Sequence, residues 1–261
     1  MGVADNRVVD IPVFTEVAYA LINSADTHNG SAGFPDLEAH GHACLIYDTS
    51  QQRLTAAVRC VSEAVRRHER LVYMCNEEMR RETLAAFQQA GLGPDHLESG
   101  QLVFITQRAP FCEDGLFTAP AMIGFLGAEI ERALADGFSG LRGFYEMTWV
   151  LGNELETMRV LECESRLNET LPRVPAVVVC QWDRGAFEPM ILLEALHTHP
   201  LVMVGDEVLD NSPYYIPPAE YLASRSAGEQ LDRQLGVLRR LNATRRLTLT
   251  GEGSSRISPA G

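Results

Sequence analysis

The sequence predicts a three-layer α/β sandwich in which helices cover both faces of an open, mostly parallel sheet, with a further helix at the C-terminal end. Two observations carry this. From residue 40 onward, short apolar runs alternate with helix-length amphipathic segments, the order of a repeated βα unit. The runs themselves, such as "ACLIY", "RLVYMC" and "AVVVCQW", are continuously apolar rather than alternating, which suits strands buried on both faces. A chain of 261 residues is long enough to bury the core this requires.

Each element has its own signal. "ACLIY" (43–47) reads as the first strand, and in "RLTAAVRCVSEAVRRH" the residues Leu54, Ala57, Val58, Val61 and Val65 form one helical stripe. "RLVYMC" is the second strand and "RRETLAAFQQAG" the second helix, closed by Gly91, the residue type that most readily takes the left-handed conformation of a helix C-cap. "QLVFIT" is the third strand. After the loop "QRAPFCEDGLF", the helix "APAMIGFLGAEIERALADG" aligns Met122, Phe125, Leu126, Ile130 and Leu134. "GLRGFYEMTW" supplies a fourth strand and its exit, "NELETMRVLECESRLNETL" a glutamate-rich helix, and "AVVVCQW" a strongly apolar fifth strand. "FEPMILLEALHTH" is the last helix of the repeat and "LVMVG" a final parallel strand.

The flanks differ in character. Residues 1–38 read as an N-terminal extension: "PVFTEVAYALINS" can make one short amphipathic helix, and "ADTHNGSAGFPD" is a flexible connector. Residues 39–222 form the main domain, ending in the turn-rich "VGDEVLDNSPYYIPPAEYLA". Residues 223–248 read as a C-terminal helix whose Leu231, Leu235, Leu238 and Leu241 make a narrow stripe. Such a stripe suits docking on a partner helix, homodimerisation included, or packing back onto its own domain. Residues 249–261 read as a disordered tail.

Composition excludes several classes. Hydrophobic residues make up 46% and charged residues 22%, ordinary for a soluble globular chain. No apolar run reaches the ~18 residues of a membrane span, and the N-terminus lacks a signal peptide's basic start and apolar core, so a cytoplasmic protein is expected. The formal net charge of −13 argues against direct nucleic-acid binding, which needs a basic face to displace counterions. Between residues 224 and 246, however, six arginines face two carboxylates, a local +4 that marks a candidate interaction element or a solvated helix face. The six cysteines are scattered, with no Cys-x-x-Cys pair, and are expected to be reduced and mostly buried.

In open parallel sheets, ligands bind at the carboxyl ends of the strands. The strand ends here carry Tyr47 and Asp48, then Cys75, Asn76 and Glu77, then Gln107 and Arg108, then Glu146, Thr148 and Trp149, and finally Cys180, Gln181, Trp182 and Asp183. Of these, Tyr47, Asp48, Asn76, Glu77, Glu146, Trp149, Gln181, Trp182 and Asp183 are the candidate ligand-binding residues. The turn "DTSQQR" after the first strand has neither the glycines that let backbone N–H groups wrap a phosphate nor the lysine that neutralises it. No ATP site is expected. His40, His42 and Cys44 share one strand face, and histidines two apart can chelate one metal; a structural pair of histidines is the plainer reading. Glu146 with Asp183 could act as an acid–base pair, or simply close a strand-end hydrogen-bond network. Cys75 with Cys180 could form a redox pair, with buried free thiols as the alternative. No nucleophile elbow is present, and no complete catalytic set can be assembled, so an enzyme is not expected.

The ordered set "HACLIYDTSQQ", "LVYMCNEE", "ESGQLVFIT", "GFSGLRGFYEMTWVL", "ECESRLNETLP", "VVVCQWDRGAF" and "HTHPLVMVGDEV…NSPYYIPP" resembles the MEDS domain, a sensory domain of methanogens, methylotrophs and the dichloromethane-dehalogenase regulator. The likeness covers about residues 38–221 and rests on the whole set rather than on one motif. It implies a RecA-like core without a working phosphate loop, similar to circadian-clock-type ATPases. It also implies a non-catalytic sensor of small hydrocarbon derivatives with a transcriptional or kinase output. The positions it singles out are His42, Tyr47, Glu77, Glu146, Trp149, Gln181, Asp183 and His199, with His42 and His199 near strand starts. Nothing the size of a helix-turn-helix or kinase module follows residue 221, so output is expected to pass to a separate kinase, regulator or anti-sigma partner. A metal- or haem-binding sensor using His42, Cys44 and His199 is the second reading, and an interaction module without ligand is the third.

Overall fold

In the computed structural model the chain runs β1 (His40–Tyr47), α1 (Ser50–Arg66), β2 (Arg70–Met74), α2 (Glu77–Gln89), α3 (Pro94–Glu98), β3 (Leu102–Ile105), β4 (Cys112–Glu113), β5 (Leu116–Phe117), α4 (Ala119–Ala135), β6 (Leu141–Glu146), α5 (Glu154–Thr170), β7 (Ala176–Asp183), α6 (Pro189–Thr198), β8 (Leu201–Val204), β9 (Glu207–Asp210) and α7 (Pro218–Ala223). The structure describes Leu37, residues 40–92, 94–106, 109–113, 115–152, 154–204 and 207–223, and Gly228, Leu231, Leu235 and Arg239. The N-terminal extension, Gln107, Arg108, the C-terminal tail and most of the 223–248 segment lie outside these residues. The described positions of that segment, Ala223 at the end of α7 and Gly228, Leu231, Leu235 and Arg239, are helical and exposed.

Seven strands form one sheet in the order β3-β2-β6-β7-β1-β8-β9, while β4 and β5 pair separately. All pairs in the large sheet are parallel except β8 with β9, an antiparallel hairpin whose second strand lies in the stretch that the sequence presents as turns. This is the open, mostly parallel α/β sandwich expected. β7 is central, paired with β1 along its whole length and with β6 over six residues. Its Ala176–Gln181 stretch is buried throughout, which explains why its sequence is an unbroken apolar run.

Two core clusters flank the sheet. On one face His42 and Cys44 of β1, Val72 and Met74 of β2, Tyr145 of β6, and Val178, Cys180 and Trp182 of β7 turn toward α4, α5 and α6. On the other, Ala43, Leu45 and Tyr47, Leu71 and Tyr73, Phe144, and Val177 and Val179 turn toward α1 and α2. The strict alternation of strand side chains therefore assigns every odd or even position to one of two separate interiors.

The helices behave as their sequences imply, with one shift. α2 ends through Gly91, whose φ of 80° lets Leu92 N–H reach the Phe87 carbonyl. α1 turns its small residues, Ala56, Ala57, Cys60 and Ala64, to the sheet with Val61, leaving Leu54, Val58 and Val65 half-buried at the flanks. It also buries Arg53, whose guanidinium donates to Tyr73 Oη (3.2 Å), Thr83 Oγ1 (3.0 Å) and Glu82 Oε2 (2.9 Å).

Just before β6, the chain passes so close to the residue preceding β7 that a Cβ on Gly140 would lie 2.5 Å from the Pro175 carbonyl oxygen. That carbonyl accepts from Leu141 N–H, and the Gly140 carbonyl accepts from Arg70 N–H, so neither strand start can move freely. Gly140→Ala is predicted to destabilise the protein by about 1–3 kcal/mol through this overlap. Urea denaturation would show a lower midpoint with an unchanged slope; an unaltered midpoint would mean that the strand starts yield.

Candidate functional site

The carboxyl edge of the sheet has a crevice between β2 and β6, because the chain leaves β2 toward α2 on one face and leaves β6 toward α5 on the other. A cavity of about 230 Å³ occupies it, lined by Met74, Cys75, Asn76, Thr106, Phe111, Glu146, Thr148 and Trp149. Trp149 forms one wall, held against Phe111 and Phe117 at ring-centroid distances of 5.8 and 5.6 Å. Asn76 caps α2, its Oδ1 accepting from Met79 N–H at 2.9 Å.

Glu146 is the buried carboxyl of this cavity. Its Oε1 accepts from Tyr47 Oη (3.2 Å), and its Oε2 accepts from Thr148 Oγ1 (2.5 Å) and Thr148 N–H (3.1 Å). Burial pushes its pKa above the ordinary carboxyl value, against the opposing effect of these hydrogen bonds. Burial, reinforced by the Glu146 charge, pushes Tyr47 upward as well, and it raises the Cys75 thiol to about 12. The cavity thus offers hydrogen-bonding groups among apolar walls, and burial holds its thiol protonated rather than as a thiolate nucleophile.

Of the nine candidate residues, the structure brings Asn76, Glu146 and Trp149 to the cavity, with Tyr47 joined to it through Glu146. Gln181 lies on the same side of the sheet but beneath it, accepting from Tyr73 Oη at 3.2 Å. The others have different roles. Trp182 is fully buried on the opposite face and packs on Phe187 at 4.9 Å, because one step along β7 reverses the side chain. Asp183 holds a turn, its Oδ1 accepting from Gly185 N–H at 2.8 Å, while Glu146 is engaged by Tyr47 and Thr148 instead. Asp48 is exposed and sits 3.4 Å from Arg184, and Glu77 lies in the first turn of α2, 3.6 Å from Arg80.

The turn after β1 is closed by its own side chains. Thr49 Oγ1 accepts from Gln52 N–H, while Gln52 Oε1 accepts from Asp48 N–H (2.7 Å) and Thr49 N–H (3.3 Å), a complete capping box. Backbone donors that a phosphate loop would offer to an anion are here turned inward.

The metal candidates regroup. His42 and His199 come together, ring centroids 4.1 Å apart, in the interior beneath α5 and α6. Cys44 does not complete their set; its register partner on β7, Cys180, does, together with Glu164 of α5. Glu164 Oε2 lies 2.8 Å from His42 Nε2, 3.4 Å from His199 Nε2 and 3.1 Å from Cys180 Sγ. These contacts hold the Glu164 pKa well below the carboxylate range although burial opposes them, while burial and the neighbouring His42 lower that of His199. Among the described residues these four could hold a metal. Cys75 and Cys180 face opposite sides of the sheet, so the redox pair does not form.

Glu164 is the residue that sequence reading passes over, since it sits in a glutamate-rich helix. Its signal is its phase: it shares the inward face of α5 with Val160, Leu161 and Leu167, where an unpartnered carboxylate would be costly.

Comparison with known proteins follows this geometry. The family model described as MEDS, the methanogen/methylotroph, DcmR sensory domain, matches residues 41–200. No curated protein sequence matches significantly. Among solved structures, a KaiC-like protein of Pyrococcus horikoshii OT3 is 15% identical with a TM-score of 0.42, covering 65% of this chain and 71% of that one. An uncharacterized Pyrococcus horikoshii protein in complex with an unknown peptide is 15% identical with a TM-score of 0.46, covering 62% and 76%. The flagellar accessory protein FlaH of Methanocaldococcus jannaschii is 11% identical with a TM-score of 0.41, covering 67% and 76%.

The raised pKa of Glu146 has a thermodynamic consequence. A carboxyl that binds its proton more tightly in the folded state contributes stability below its unfolded pKa, near 4.5, and loses that contribution as pH rises through the folded value. Glu146→Gln carries no such titration. Its melting temperature relative to the natural protein is therefore predicted to climb as pH rises above 4.5; parallel melting curves across that range would contradict the assignment.

Proposed function

The chain belongs to the MEDS family of sensory domains, and on that premise we propose that it is a non-catalytic ligand sensor whose small molecule binds in the crevice between β2 and β6. The observation that carries this is the cavity itself: a buried, hydrogen-bonded carboxyl whose pKa burial raises, set among Met74, Phe111 and Trp149. At about 230 Å³ it falls below the ~300–1,000 Å³ of drug-sized pockets. The ligand class is therefore a compact, largely apolar molecule with one polar group to meet Glu146, Thr148 or Asn76. A nucleotide triphosphate is too large and too anionic for it, and the capped turn after β1 offers it no cradle. The buried thiol of Cys75 and the engaged carboxyl of Glu146 support binding over catalysis.

Trp149 joins the cavity to α5, which begins a few residues later, so filling or emptying the crevice biases the placement of that helix. A shift of this kind would be read by a separate partner protein of kinase, regulator or anti-sigma type, or by a second copy of the chain. The exposed Leu231 and Leu235 are one surface on which such a reader could dock.

The reading is tested on the full chain carrying Trp182→Phe, which leaves Trp149 as its lone tryptophan reporter. A library of one-carbon, halogenated and other small hydrocarbon derivatives is predicted to contain a compound that alters Trp149 emission and raises the melting temperature. At 100 times its Kd that compound stabilises the fold by ~2.7 kcal/mol. Trp149→Ala in the natural background should weaken its binding at least about tenfold, the effect of losing one aromatic wall worth ~1.4 kcal/mol. A library that shifts neither signal removes the small-molecule reading.

A further inference from the structure

We propose that His42, Cys180, Glu164 and His199 form a closed site for one zinc ion, buried on the opposite side of the sheet from Glu146 and independent of what fills the crevice. His42 comes from the start of β1, Cys180 from the middle of β7, Glu164 from α5, and His199 from the cap between α6 and β8. Their four donor atoms all lie within 4.8 Å of one another, and all four residues are buried.

The hydrogen bonds around the cluster decide what its atoms present inward. The Asn168 amide nitrogen faces three backbone carbonyls, those of Glu164 (3.2 Å), Ser165 (3.1 Å) and Thr198 (2.7 Å), which fixes the orientation of the amide. Asn168 Oδ1 therefore points at His42 Nδ1, 2.9 Å away, and that nitrogen must carry a hydrogen to donate. His199 Nδ1 lies 2.7 Å from the Ala195 carbonyl and donates to it in the same way. Both rings thus spend their Nδ1–H outward and aim Nε2 at the carboxylate and the sulfur.

Without a metal, the Cys180 S–H donates to Glu164 Oε2 at 3.1 Å, and both imidazole Nε2 atoms converge on that same oxygen. A second proton on His42 Nε2 would serve Glu164 Oε2 at 2.8 Å, yet it leaves His199 Nε2, buried and held only by a long 3.4 Å approach to the same oxygen. A divalent cation serves all four at once. With one thiolate, one carboxylate and two neutral imidazoles its charge is balanced to zero, the condition a buried site favours. The Cys180 thiol loses its proton to solvent as the S–metal bond forms.

Donor chemistry selects the ion. Two nitrogens, a sulfur and an oxygen match borderline-soft zinc, whereas magnesium and calcium take oxygen ligands. Bonds of ~2.0–2.3 Å in a tetrahedron place donors roughly 3.3–3.6 Å apart. The spacings from Glu164 Oε2 are 2.8 Å to His42, 3.1 Å to Cys180 Sγ and 3.4 Å to His199, that from Cys180 Sγ to His42 Nε2 is 3.7 Å, and no pair exceeds 4.8 Å. The donors therefore straddle that range and close on an ion by sub-ångström shifts of the side chains. Asn168 and the Ala195 carbonyl are the outer groups that orient the metal-binding histidines in such sites. Because the protein fills all four positions, the ion would be a structural clamp joining α5 to β1, β7 and the β8 junction rather than a reaction centre.

The test uses the full chain, stripped with a chelator and refilled with zinc alone or cobalt(II) alone. One equivalent of zinc should bind and survive gel filtration, raising the melting temperature of the stripped protein. Cobalt(II) should produce a thiolate charge-transfer band that disappears in Cys180→Ala and persists in Cys44→Ala. Asn168→Ala should lower zinc affinity by about 10–100-fold. If neither ion binds the natural protein, or if the cobalt band is the same in Cys180→Ala, the four residues are a buried ion-pair network only and the site is refuted. The binding and spectrum of the natural protein decide the matter even if a variant fails to fold.

Discussion

The two-residue alternation of the buried central strands is the constraint on which the rest of this molecule depends. Because β1, β6 and β7 run parallel and in full register, each step along a strand moves a side chain from one interior to the other. Tyr47, Glu146 and Gln181 consequently meet on the α1–α2 side, at the carboxyl edge. His42, Cys180 and Trp182 meet the opposite helices. A single-residue slip of β7 against its neighbours would exchange the two environments, placing charged and thiol groups in the wrong interior. Register is therefore what keeps the chemistries apart.

Much of this was legible in the sequence. The unbroken apolar runs gave away central parallel strands, and the alternation of strands and helices gave away the layers. Gly91 marked a helix end, and the missing glycines after β1 marked a turn unfit for phosphate. The carboxyl edge could be located from strand ends alone, and it brought Asn76, Glu146 and Trp149 together. What a single sequence hides is which face a strand-end residue occupies. Trp182 and Gln181 are adjacent, and only the packing of Trp182 on Phe187 distinguishes a core residue from one beneath the site. The pairing of Cys180 with His42, rather than Cys44 with His42, depends on neighbouring strands and on a helix placed above them. β8 was legible as the strand "LVMVG", but β9 was hidden for a different reason: it sits in a stretch rich in turn residues, where antiparallel pairing with β8 decides the outcome.

α5 connects the two polar regions. It starts just after Trp149 at the crevice and carries Glu164 into the histidine cluster, so one helix touches both regions. Its inner face is apolar apart from Glu156, Thr157, Glu164, Ser165 and Thr170, and the two glutamates have assigned partners: Glu156 Oε1 accepts from Phe117 N–H at 3.1 Å, and Glu164 meets His42. A sensor requires an element with more than one favourable position, and a helix anchored by polar contacts to both a crevice and a buried cluster is the natural choice here.

The location of the ligand is the central claim, and hydrogen exchange of the full chain tests it most directly. With any compound that raises the melting temperature bound, amide protection should increase in residues 74–76 and 146–149 and along the first turns of α5. The turn at residues 48–52 should stay unchanged. Protection confined to that turn, or spread with no change at 74–76 and 146–149, would contradict the placement of the site in the β2–β6 crevice.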